Sequence, residues 1–246
     1  MDALIIAAGY GSRLAGISRS KPLTPVAGIP LLELGVRQAA AAGVRRVVVV
    51  TGHRADEVEA FLTGLTARTG VTIEAERVAD WSTPNGHSVM AGAARIPGDY
   101  LLMMADHIFS AEILARLARA GAPDRGVTLA IDRRVTSPLI DPDDATWVRT
   151  ARDGRITAIG KSLTGYDAVD CGAFLATPEL AAAIAEAIAA GRPGSLSDGM
   201  QRLAEAGRAQ TLDVGAAWWM DVDDARAHAQ AETEAPRWLP EVYARA

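Results

Sequence analysis

Short apolar runs alternate with amphipathic stretches along the first half of this 246-residue chain. Residues 3–8, 47–51 and 100–105 are almost entirely apolar, which is typical of strands that are buried on both faces of a parallel sheet. Residues 30–42 and 56–65 lie between those runs and carry apolar side chains at helical spacing. Strands that alternate with helices in this way predict βα units, and therefore a doubly wound α/β fold with a mostly parallel sheet.

The pattern changes after residue 126. An Asp153-Gly154 pair separates two strand-like runs, 146–150 and 155–160, and this arrangement is a strong β-hairpin signal. The other expected elements are a strand at 71–76, a turn at Asn85-Gly86, a short helix from about Ser88, a helix capped by Ser110, a strand at 127–132, a loop at 137–144, a strand at 171–176, a helix at 178–190, a helix from Ser197 to 206, strands at 209–214 and 218–222, and a final polar helix. We therefore expect one domain over 1–246.

Composition and charge exclude several classes of protein. Hydrophobic residues make up 49% and charged residues 22% of the sequence, as in an ordinary globular enzyme. The formal net charge of −5 argues against nucleic acid as a partner, because nucleic-acid-binding proteins present a basic surface. The single cysteine, Cys171, excludes an internal disulfide, and the apolar runs are too short to span a membrane. Strand-like residues begin at Ala3 and leave no room for a secretory leader, so we expect a soluble cytoplasmic protein without direct membrane insertion.

A glycine-rich loop follows the first apolar run directly. Gly9 and Gly11 allow positive φ and close backbone approach, so that successive N–H groups can surround an anion, although a tight turn is the structural alternative. Dinucleotide-binding enzymes carry a similar loop, but Leu14 replaces their third glycine and no acidic residue ends the second strand. Arg13 and Lys21 follow instead and suit a triphosphate that gains charge as pyrophosphate leaves, so we predict them as catalytic cations. The predicted nucleotide-binding residues of the loop are Ala8, Gly9, Gly11 and Ser12.

Three aspartates are candidate metal ligands. Asp106 follows the apolar run 100–105, and open α/β sheets bind ligands at the carboxyl ends of such strands. Asp221 and Asp223 alternate onto one face of a short strand-like segment. Magnesium takes oxygen ligands and is usually held by one or two carboxylates together with substrate phosphates. We therefore predict Mg²⁺ as a cofactor, bound by Asp106 with Asp221 or Asp223; the alternative is that these aspartates cap helices, as we expect of Asp224.

Further polar residues are weaker candidates, because each has an ordinary structural explanation. Asn85, Gly86 and Ser88 are predicted to contact the nucleobase, although the segment could equally be a plain turn. Lys161 at a strand end could hold the phosphate of an acceptor, or it could be a solvated surface lysine. Asp170 could accept hydrogen bonds from the acceptor's hydroxyl groups. The predicted acceptor-binding residues are Asp132, Lys161 and Asp170.

These residues together resemble a known family. The pattern Gly9-x-Gly11-x-Arg13-Leu14 followed by Lys21-Pro22-Leu23 resembles the signature of the sugar-phosphate nucleotidyltransferases. The similarity covers residues 3 to about 232. Later segments resemble the CTP:inositol-1-phosphate cytidylyltransferases, namely Asn85-Gly86-x-Ser88, Met104-Ala105-Asp106-His107-Ile108-Phe109, Asp143-Asp144-Ala145-Thr146, Ile159-Gly160-Lys161, Tyr166-Asp167-Ala168-x-Asp170-x-Gly172, Ser195-Leu196-Ser197-Asp198-Gly199 and Trp219-x-Asp221-Val222-Asp223.

The resemblance implies a fold, a reaction and a division of labour. The fold would be Rossmann-like. We predict a nucleotide-binding half at 1–126 and an acceptor-binding and metal-binding half at 127–234, and the strand pattern places the predicted β-hairpin as a substrate lobe on the sheet. The enzyme would join CTP and inositol-1-phosphate, or a similar polyol phosphate, to give CDP-inositol and pyrophosphate. The glycine loop and Lys21 would hold CTP, and Lys161 would contact the acceptor phosphate.

Two departures from the family accompany the resemblance. Cys171 stands where a threonine is usual. Many relatives continue into a membrane-embedded transferase, whereas this chain ends at Ala246; if the resemblance to the inositol enzymes holds, a separate membrane enzyme would have to consume the product.

Other functions compete with this hypothesis. A related transferase could use another nucleoside triphosphate with a hexose-1-phosphate or phosphocholine. A regulatory nucleotide-binding domain without catalysis is the alternative of another class, but binding alone would not require Arg13, Lys21 and Asp106 together with Asp221. A dehydrogenase is disfavoured by the loop. The sequence leaves the oligomeric state open.

Overall fold

The first half of the chain builds one side of a nine-stranded sheet in the computed structural model, which describes residues 1–138 and 140–244. Its strands β6, β1, β4 and β5 lie side by side in that order and run parallel. The elements, in chain order, are β1 (Asp2–Ile6), β2 (Pro25–Val26), β3 (Ile29–Pro30), α1 (Leu31–Ala41), β4 (Arg46–Thr51), α2 (Ala55–Thr69), β5 (Thr72–Arg77), α3 (Asn85–Ala93), β6 (Tyr100–Met104), β7 (His107–Phe109) and α4 (Ala111–Ala120). The predicted apolar runs are therefore the buried strands β1, β4 and β6, as expected for a sheet that is covered on both faces.

The second half extends the same sheet. Its elements are β8 (Val127–Asp132), β9 (Trp147–Thr150), β10 (Ile156–Gly160), β11 (Ala168–Ala176), α5 (Pro178–Ala189), α6 (Leu196–Glu205), β12 (Ala209–Asp213), β13 (Trp219–Asp221), α7 (Ala225–Trp238) and α8 (Pro240–Tyr243). Strand β11 pairs antiparallel with β6, β8 and β9, and β12 pairs parallel with β8. Strands β9 and β10 form the predicted hairpin. Seven of the nine strands in this sheet run in one direction, which confirms a mostly parallel sheet.

Helices cover both faces of the sheet. Ala3 and Ile5 of β1 belong to a core cluster with α1, α2 and α4, whereas Leu4 and Ile6 belong to a second cluster with α3, α5 and α6. Successive strand residues point to opposite faces, so each face buries its own set of apolar side chains. Full burial of a leucine or isoleucine stabilises the fold by roughly 1.5–3 kcal/mol. The two clusters confirm the doubly wound α/β architecture.

The start of α3 differs from the expectation of a turn at Asn85-Gly86. The helix begins at Asn85, after Pro84 in an extended conformation. A Cβ atom at Gly86 would lie 2.3 Å from the carbonyl oxygen of Gly194, so the glycine allows α3 to approach the loop before α6. Close packing, rather than turn geometry, therefore explains this glycine.

The predicted start of α6 is also wrong, by two residues. Ser195, not Ser197, is the N-cap residue, because its hydroxyl accepts a hydrogen bond from the N–H of Asp198, whose carboxylate in turn accepts one from the N–H of Ser195. Ser110 precedes α4 as expected, but its hydroxyl makes no capping hydrogen bond. The loop predicted at 137–144 includes residue 139, which lies outside the described residues.

A short antiparallel pairing of β7 with β13 positions the last acidic segment. Asp221 lies opposite His107 in this ladder, and the N–H of Val222 donates to the carbonyl oxygen of Asp106 at 2.9 Å. The strand-like segment around β13 was predictable from its alternation, but its pairing with β7 was not. Because β7 follows β6 directly, the pairing brings residues 221–223 beside the carboxyl end of β6.

Among the described residues, no helix is both long and apolar enough to cross a membrane.

The single cysteine lies in the core. Cys171 is a free cysteine without exposed surface, and burial raises the pKa of its thiol well above the ordinary value. A thiol in such surroundings stays protonated and is a poor nucleophile.

Candidate active site

Gly11 shapes the loop that follows β1. It adopts the left-handed conformation with a φ of 64°, and it precedes a 3₁₀ turn over Ser12–Leu14. A Cβ atom at position 11 would lie 2.4 Å from the Cβ atom of Lys21. Any larger residue is therefore disfavoured twice, by its backbone conformation and by Lys21, which packs across the loop.

The other predicted loop residues differ in what they offer to a ligand. Gly9, Ser12 and Arg13 are exposed. No described atom lies within 4 Å of a Cβ atom built on Gly9, so the backbone there is open to an incoming group. Ala8 is buried, and its carbonyl oxygen accepts a hydrogen bond of 2.9 Å from the N–H of His53. The loop thus presents an open edge beside two cations.

Lys21 pairs directly with Asp106, although the two residues are 85 positions apart. Lys21 Nζ donates to Asp106 Oδ2 at 2.6 Å. Burial alone would lower the pKa of Lys21, but the negative charges of Asp106 and Asp221 outweigh it and raise this pKa. Burial alone would likewise raise the pKa of Asp106, but the charge of Lys21 and a hydrogen bond from His107 hold it well below its usual range. Both groups are therefore charged at neutral pH.

Arg13 and Lys161 meet at one carboxylate, that of Asp144. Arg13 Nη2 lies 2.7 Å from Asp144 Oδ2, and Lys161 Nζ lies 2.5 Å from Asp144 Oδ1. Arg13 Nη2 also lies 2.6 Å from Asp223 Oδ2. Partial burial alone would raise the pKa of Asp144, but hydrogen bonds from Lys161 and Arg13 lower it to about 2. Asp144 is not among the predicted site residues, yet it joins the cation of the first loop to the lysine of the hairpin.

His107 connects Asp106 to a second layer of side chains. Its Nδ1 lies 2.8 Å from Asp106 Oδ1, and its ring stacks at 6.1 Å on the ring of Trp219. Burial alone would lower the pKa of His107, but Asp221 and Asp106 outweigh burial and raise it to about 9. Trp219 Nε1 in turn donates to Asp132 Oδ2 at 2.8 Å. His107 is thus a protonated residue that orients Asp106, rather than a free base.

Asp132 and the predicted nucleobase residues have contacts of their own. Both carboxylate oxygens of Asp132 accept hydrogen bonds from Arg134, and Asp132 is connected to His107 through Trp219. Asn85 faces the cavity, but its Oδ1 accepts the N–H of Leu196 at 2.9 Å. Gly86 and Ser88 are buried in α3. Their predicted roles remain predictions.

Asp170 lies where β11 passes the site. Its Oδ1 accepts the N–H of Gly172 at 2.7 Å. Burial is the main cause that raises the pKa of Asp170 to about 6. Gly172 has a φ of 76°, and a Cβ atom there would lie 2.4 Å from the ring of His107, so the strand is shaped around that ring. The neighbouring Cys171 points into the core instead.

The acidic side chains provide a suitable ligand set for a divalent cation. Oxygen atoms of Asp144, Asp221 and Asp223 lie within 4.8 Å of one another, and so do ligand atoms of Asp106, His107 and Asp221. Asp221 Oδ1 is buried without a hydrogen-bond partner among the described residues. Burial, together with repulsion from Asp106, raises the pKa of Asp221 to about 7. An orphaned carboxylate oxygen among other carboxylates is the chemistry that Mg²⁺ prefers, so these residues fit the predicted metal.

A cavity of about 190 Å³ opens over this cluster. Its charged lining comes from both halves of the chain and includes Asp106, His107, Asp144, Lys161, Asp170, Asp221 and Asp223. Arg13 and Lys21 contact the same carboxylates from the glycine loop. The structure therefore brings together the predicted loop cations, the three predicted metal ligands, and the predicted acceptor residues Lys161 and Asp170.

The chain is similar to known proteins in sequence and in architecture. Residues 3–154 match the family described as the MobA-like NTP transferase domain. The chain belongs to this family. The assignment confirms the predicted nucleotidyltransferase, and the matched residues include the glycine loop. This transferase domain is thus an enzyme of the class that moves a nucleotidyl group from a nucleoside triphosphate.

Several relatives are similar to this transferase domain over most of its length. A "Bifunctional IPC transferase and DIPP synthase" of Rubrobacter xylanophilus is 36% identical over 226 residues, which are 91% of this chain and 49% of that protein. A protein of the same description from Aquifex aeolicus is 30% identical over 90% of this chain and 48% of its own length. The chain thus spans about half the length of these curated relatives. The solved inositol-1-phosphate CTP transferase from T. maritima has the same fold, with a TM-score of 0.82 at 22% identity and 96% coverage of both chains.

Proposed function

We propose that this transferase domain is a Mg²⁺-dependent cytidylyltransferase that joins CTP and inositol-1-phosphate, or a similar polyol phosphate, into CDP-inositol and pyrophosphate. One observation carries the proposal: a cation from the glycine loop and a lysine from the hairpin meet at the same acidic cluster. Arg13 and Lys161 share Asp144, 2.7 and 2.5 Å from its two oxygens. A site that must bring two phosphorylated substrates together needs cations from both sides. The named activity of the T. maritima neighbour and the IPC transferase relatives support the choice of substrates.

The reaction requires no activated side chain. An oxygen of the acceptor phosphate is already anionic at neutral pH and forms the new bond to the α-phosphorus of CTP. The bond between the α-phosphorus and the bridging oxygen breaks, and its electron pair leaves with pyrophosphate. The main barrier is repulsion between two polyanions, so the chain contributes charge and position. Lys21 and Arg13 would neutralise the triphosphate, and Lys161 would hold the acceptor phosphate.

The carboxylates would bind the metal ion. Asp106 with Asp221 and Asp223 would hold Mg²⁺, which when bound neutralises phosphate charge as a Lewis acid. Lys21 and His107 would keep Asp106 ionised and oriented for this role, as their contacts of 2.6 and 2.8 Å with its two oxygens indicate. Asp170, which lines the cavity, would accept hydrogen bonds from acceptor hydroxyl groups.

One panel tests the proposed substrates. Four nucleoside triphosphates are each combined with inositol-1-phosphate, several hexose-1-phosphates and phosphocholine in the presence of Mg²⁺, and pyrophosphate release is measured. We expect the fastest release with CTP and inositol-1-phosphate. Faster release with a hexose-1-phosphate and another triphosphate would contradict the proposed specificity but not the family. No release with any pair would favour a regulatory nucleotide-binding domain.

We expect no covalent enzyme intermediate. His107, which lines the cavity, carries a proton at neutral pH because its pKa is raised to about 9, and Cys171 is a buried thiol with a raised pKa. Intact-mass measurement after incubation with CTP and Mg²⁺, but without acceptor, should show the unmodified mass. Later addition of inositol-1-phosphate should start pyrophosphate release, as the control. A cytidylylated peptide in the first sample would rule out direct attack.

Lys161→Ala should weaken the binding of the acceptor more than the binding of the nucleotide. A hydrogen bond to a charged group contributes about 1.5–3 kcal/mol, so KM for inositol-1-phosphate should rise roughly 10- to 100-fold while KM for CTP changes little. Steady-state kinetics with each substrate varied in turn measures the difference. Arg155→Ala is the matched control, because Arg155 is a cation of the same hairpin that is paired outside the cavity with Asp153. An unchanged acceptor KM in Lys161→Ala would remove Lys161 from the site.

A further inference from the structure

Three aromatic rings form an exposed cluster beside the glycine loop, outside the acidic cavity. Tyr10 and His53 meet edge to face at 4.7 Å between ring centroids. Trp81 lies 5.0 Å from His53 and stacks on Tyr10 at 6.2 Å. Tyr10 is 52% exposed and Trp81 is 42% exposed, and none of the three belongs to a buried core cluster. We call these three residues the aromatic platform.

The platform lies where the fold places ligands. Its rings come from the segments that follow β1, β4 and β5, which are adjacent parallel strands. Open α/β sheets bind ligands at the carboxyl ends of such strands. Gly52 allows the three segments to pack closely, since a Cβ atom there would lie 2.7 Å from the Cβ atom of Trp81 and 2.9 Å from the carbonyl oxygen of Ala8. The rings are thus held side by side, with Tyr10 and Trp81 exposed and His53 half-buried.

The position of Tyr10 links the platform to the phosphate loop. Tyr10 stands between Gly9 and Gly11, so its ring is attached to the backbone proposed to hold phosphates. The same loop continues to Arg13, which reaches Asp223 in the acidic cluster. A nucleotide whose phosphates follow the loop towards Lys21 would therefore carry its base towards the rings.

The residues first predicted to contact the base leave this role open. Asn85 Oδ1 accepts the N–H of Leu196, and Gly86 and Ser88 are buried, so none of the three offers a flat face on which a base could stack. Exposed aromatic rings, in contrast, offer flat faces on which any base can stack.

We infer that the aromatic platform of Tyr10, His53 and Trp81 binds the nucleobase of the nucleoside triphosphate by stacking. This inference rests on the proposed function only in that the chain must bind a nucleoside triphosphate. Stacking tolerates every base, so the platform supplies affinity, and the choice of CTP must be made by other groups.

Binding of CTP and of inorganic tripolyphosphate, which has the phosphates but no base, tests the platform. Calorimetric titration in the presence of Mg²⁺ compares the wild-type chain with Tyr10→Ala and Trp81→Ala. Stacking contributes about 1–3 kcal/mol per base, so each variant should bind CTP roughly 5- to 100-fold more weakly. Tripolyphosphate should bind all three proteins alike. Tyr10→Phe and Trp81→Phe keep a ring and should retain most of the affinity, and Trp238→Ala removes an exposed ring elsewhere as the matched control.

Each result of these titrations either supports or overturns the stacking of the base on the aromatic platform. Unchanged CTP binding in both alanine variants would overturn it and would leave the rings as a surface for another macromolecule. Equal weakening of CTP and tripolyphosphate would also overturn it, because the rings would then only support the loop. Titrations with the other three triphosphates separate this test from the proposed function. If the chain prefers UTP, ATP or GTP and the alanine variants weaken that ligand, the CTP proposal fails while the platform stands.

Discussion

Lys21→Ala should lower the rate of pyrophosphate release by about 10²- to 10³-fold, the usual loss when one charge-stabilising group is removed from a transition state. Lys21 is the cation that packs on Gly11 and lies 2.6 Å from Asp106, so it stands between the phosphate loop and the proposed metal ligands. The alanine variant would leave Arg13 and Mg²⁺ to compensate the charge on the leaving pyrophosphate without Lys21. Initial rates with saturating CTP, Mg²⁺ and inositol-1-phosphate measure the loss.

The control for this prediction must separate catalysis from folding. Removal of Lys21 also leaves Asp106 with one cationic partner fewer, which can reduce stability. Thermal unfolding of the variant should therefore be recorded beside its kinetics. Lys21→Arg keeps the charge but changes its shape, and we expect a smaller loss of rate. A folded Lys21→Ala variant that retains the wild-type rate would exclude Lys21 from the reaction.

Asp106→Asn should raise the Mg²⁺ concentration needed for half-maximal activity by at least about tenfold, because changes even in the partners of metal ligands cost 10- to 100-fold in affinity. The substitution keeps the shape of the side chain and removes its charge. Titration of activity with Mg²⁺ at fixed CTP measures the shift. Asp167→Asn is the matched control, since Asp167 is paired with Arg133 and does not line the cavity. A normal metal titration in Asp106→Asn would count against the ligand assignment.

Asp221→Asn and Asp223→Asn extend the same test to the second segment. Asp221 belongs to both groups of candidate ligands, whereas Asp223 belongs to one of them and lies 2.6 Å from Arg13. We therefore expect the larger shift in the Mg²⁺ titration from Asp221→Asn. Equal, wild-type titrations in both variants would place the metal elsewhere.

The fold was largely predictable because periodicity reports burial. Runs such as 47–51 and 100–105 are apolar at every position only when helices cover both faces, and the structure shows them as β4 and β6. The pairing of β7 with β13 could not be predicted from the sequence, since three residues are too few to show a periodic pattern of apolar side chains. The start of α6 was misplaced because Ser195 and Ser197 are both suitable caps, and only Ser195 is followed three residues later by Asp198.

The site residues were predictable where a charged residue or a glycine loop directly follows a predicted buried strand. Asp106 follows β6, and the glycine loop follows β1, so the parallel sheet alone brings them near each other. Asp144 was missed because it lies in a loop with no period, and its role depends on contacts with Arg13 and Lys161. Composition held one further signal: Lys21 and Lys161 are the two lysines among 25 lysine and arginine residues, and both are paired in the site.

A crystal structure with CTP and Mg²⁺, but without acceptor, would show whether the loop cations and the two acidic segments bind one triphosphate and its metal. We expect the triphosphate along the glycine loop beside Lys21, with the metal held by Asp106 and by Asp221 or Asp223. A triphosphate bound away from Lys21, or a metal without a carboxylate ligand from either segment, would contradict it.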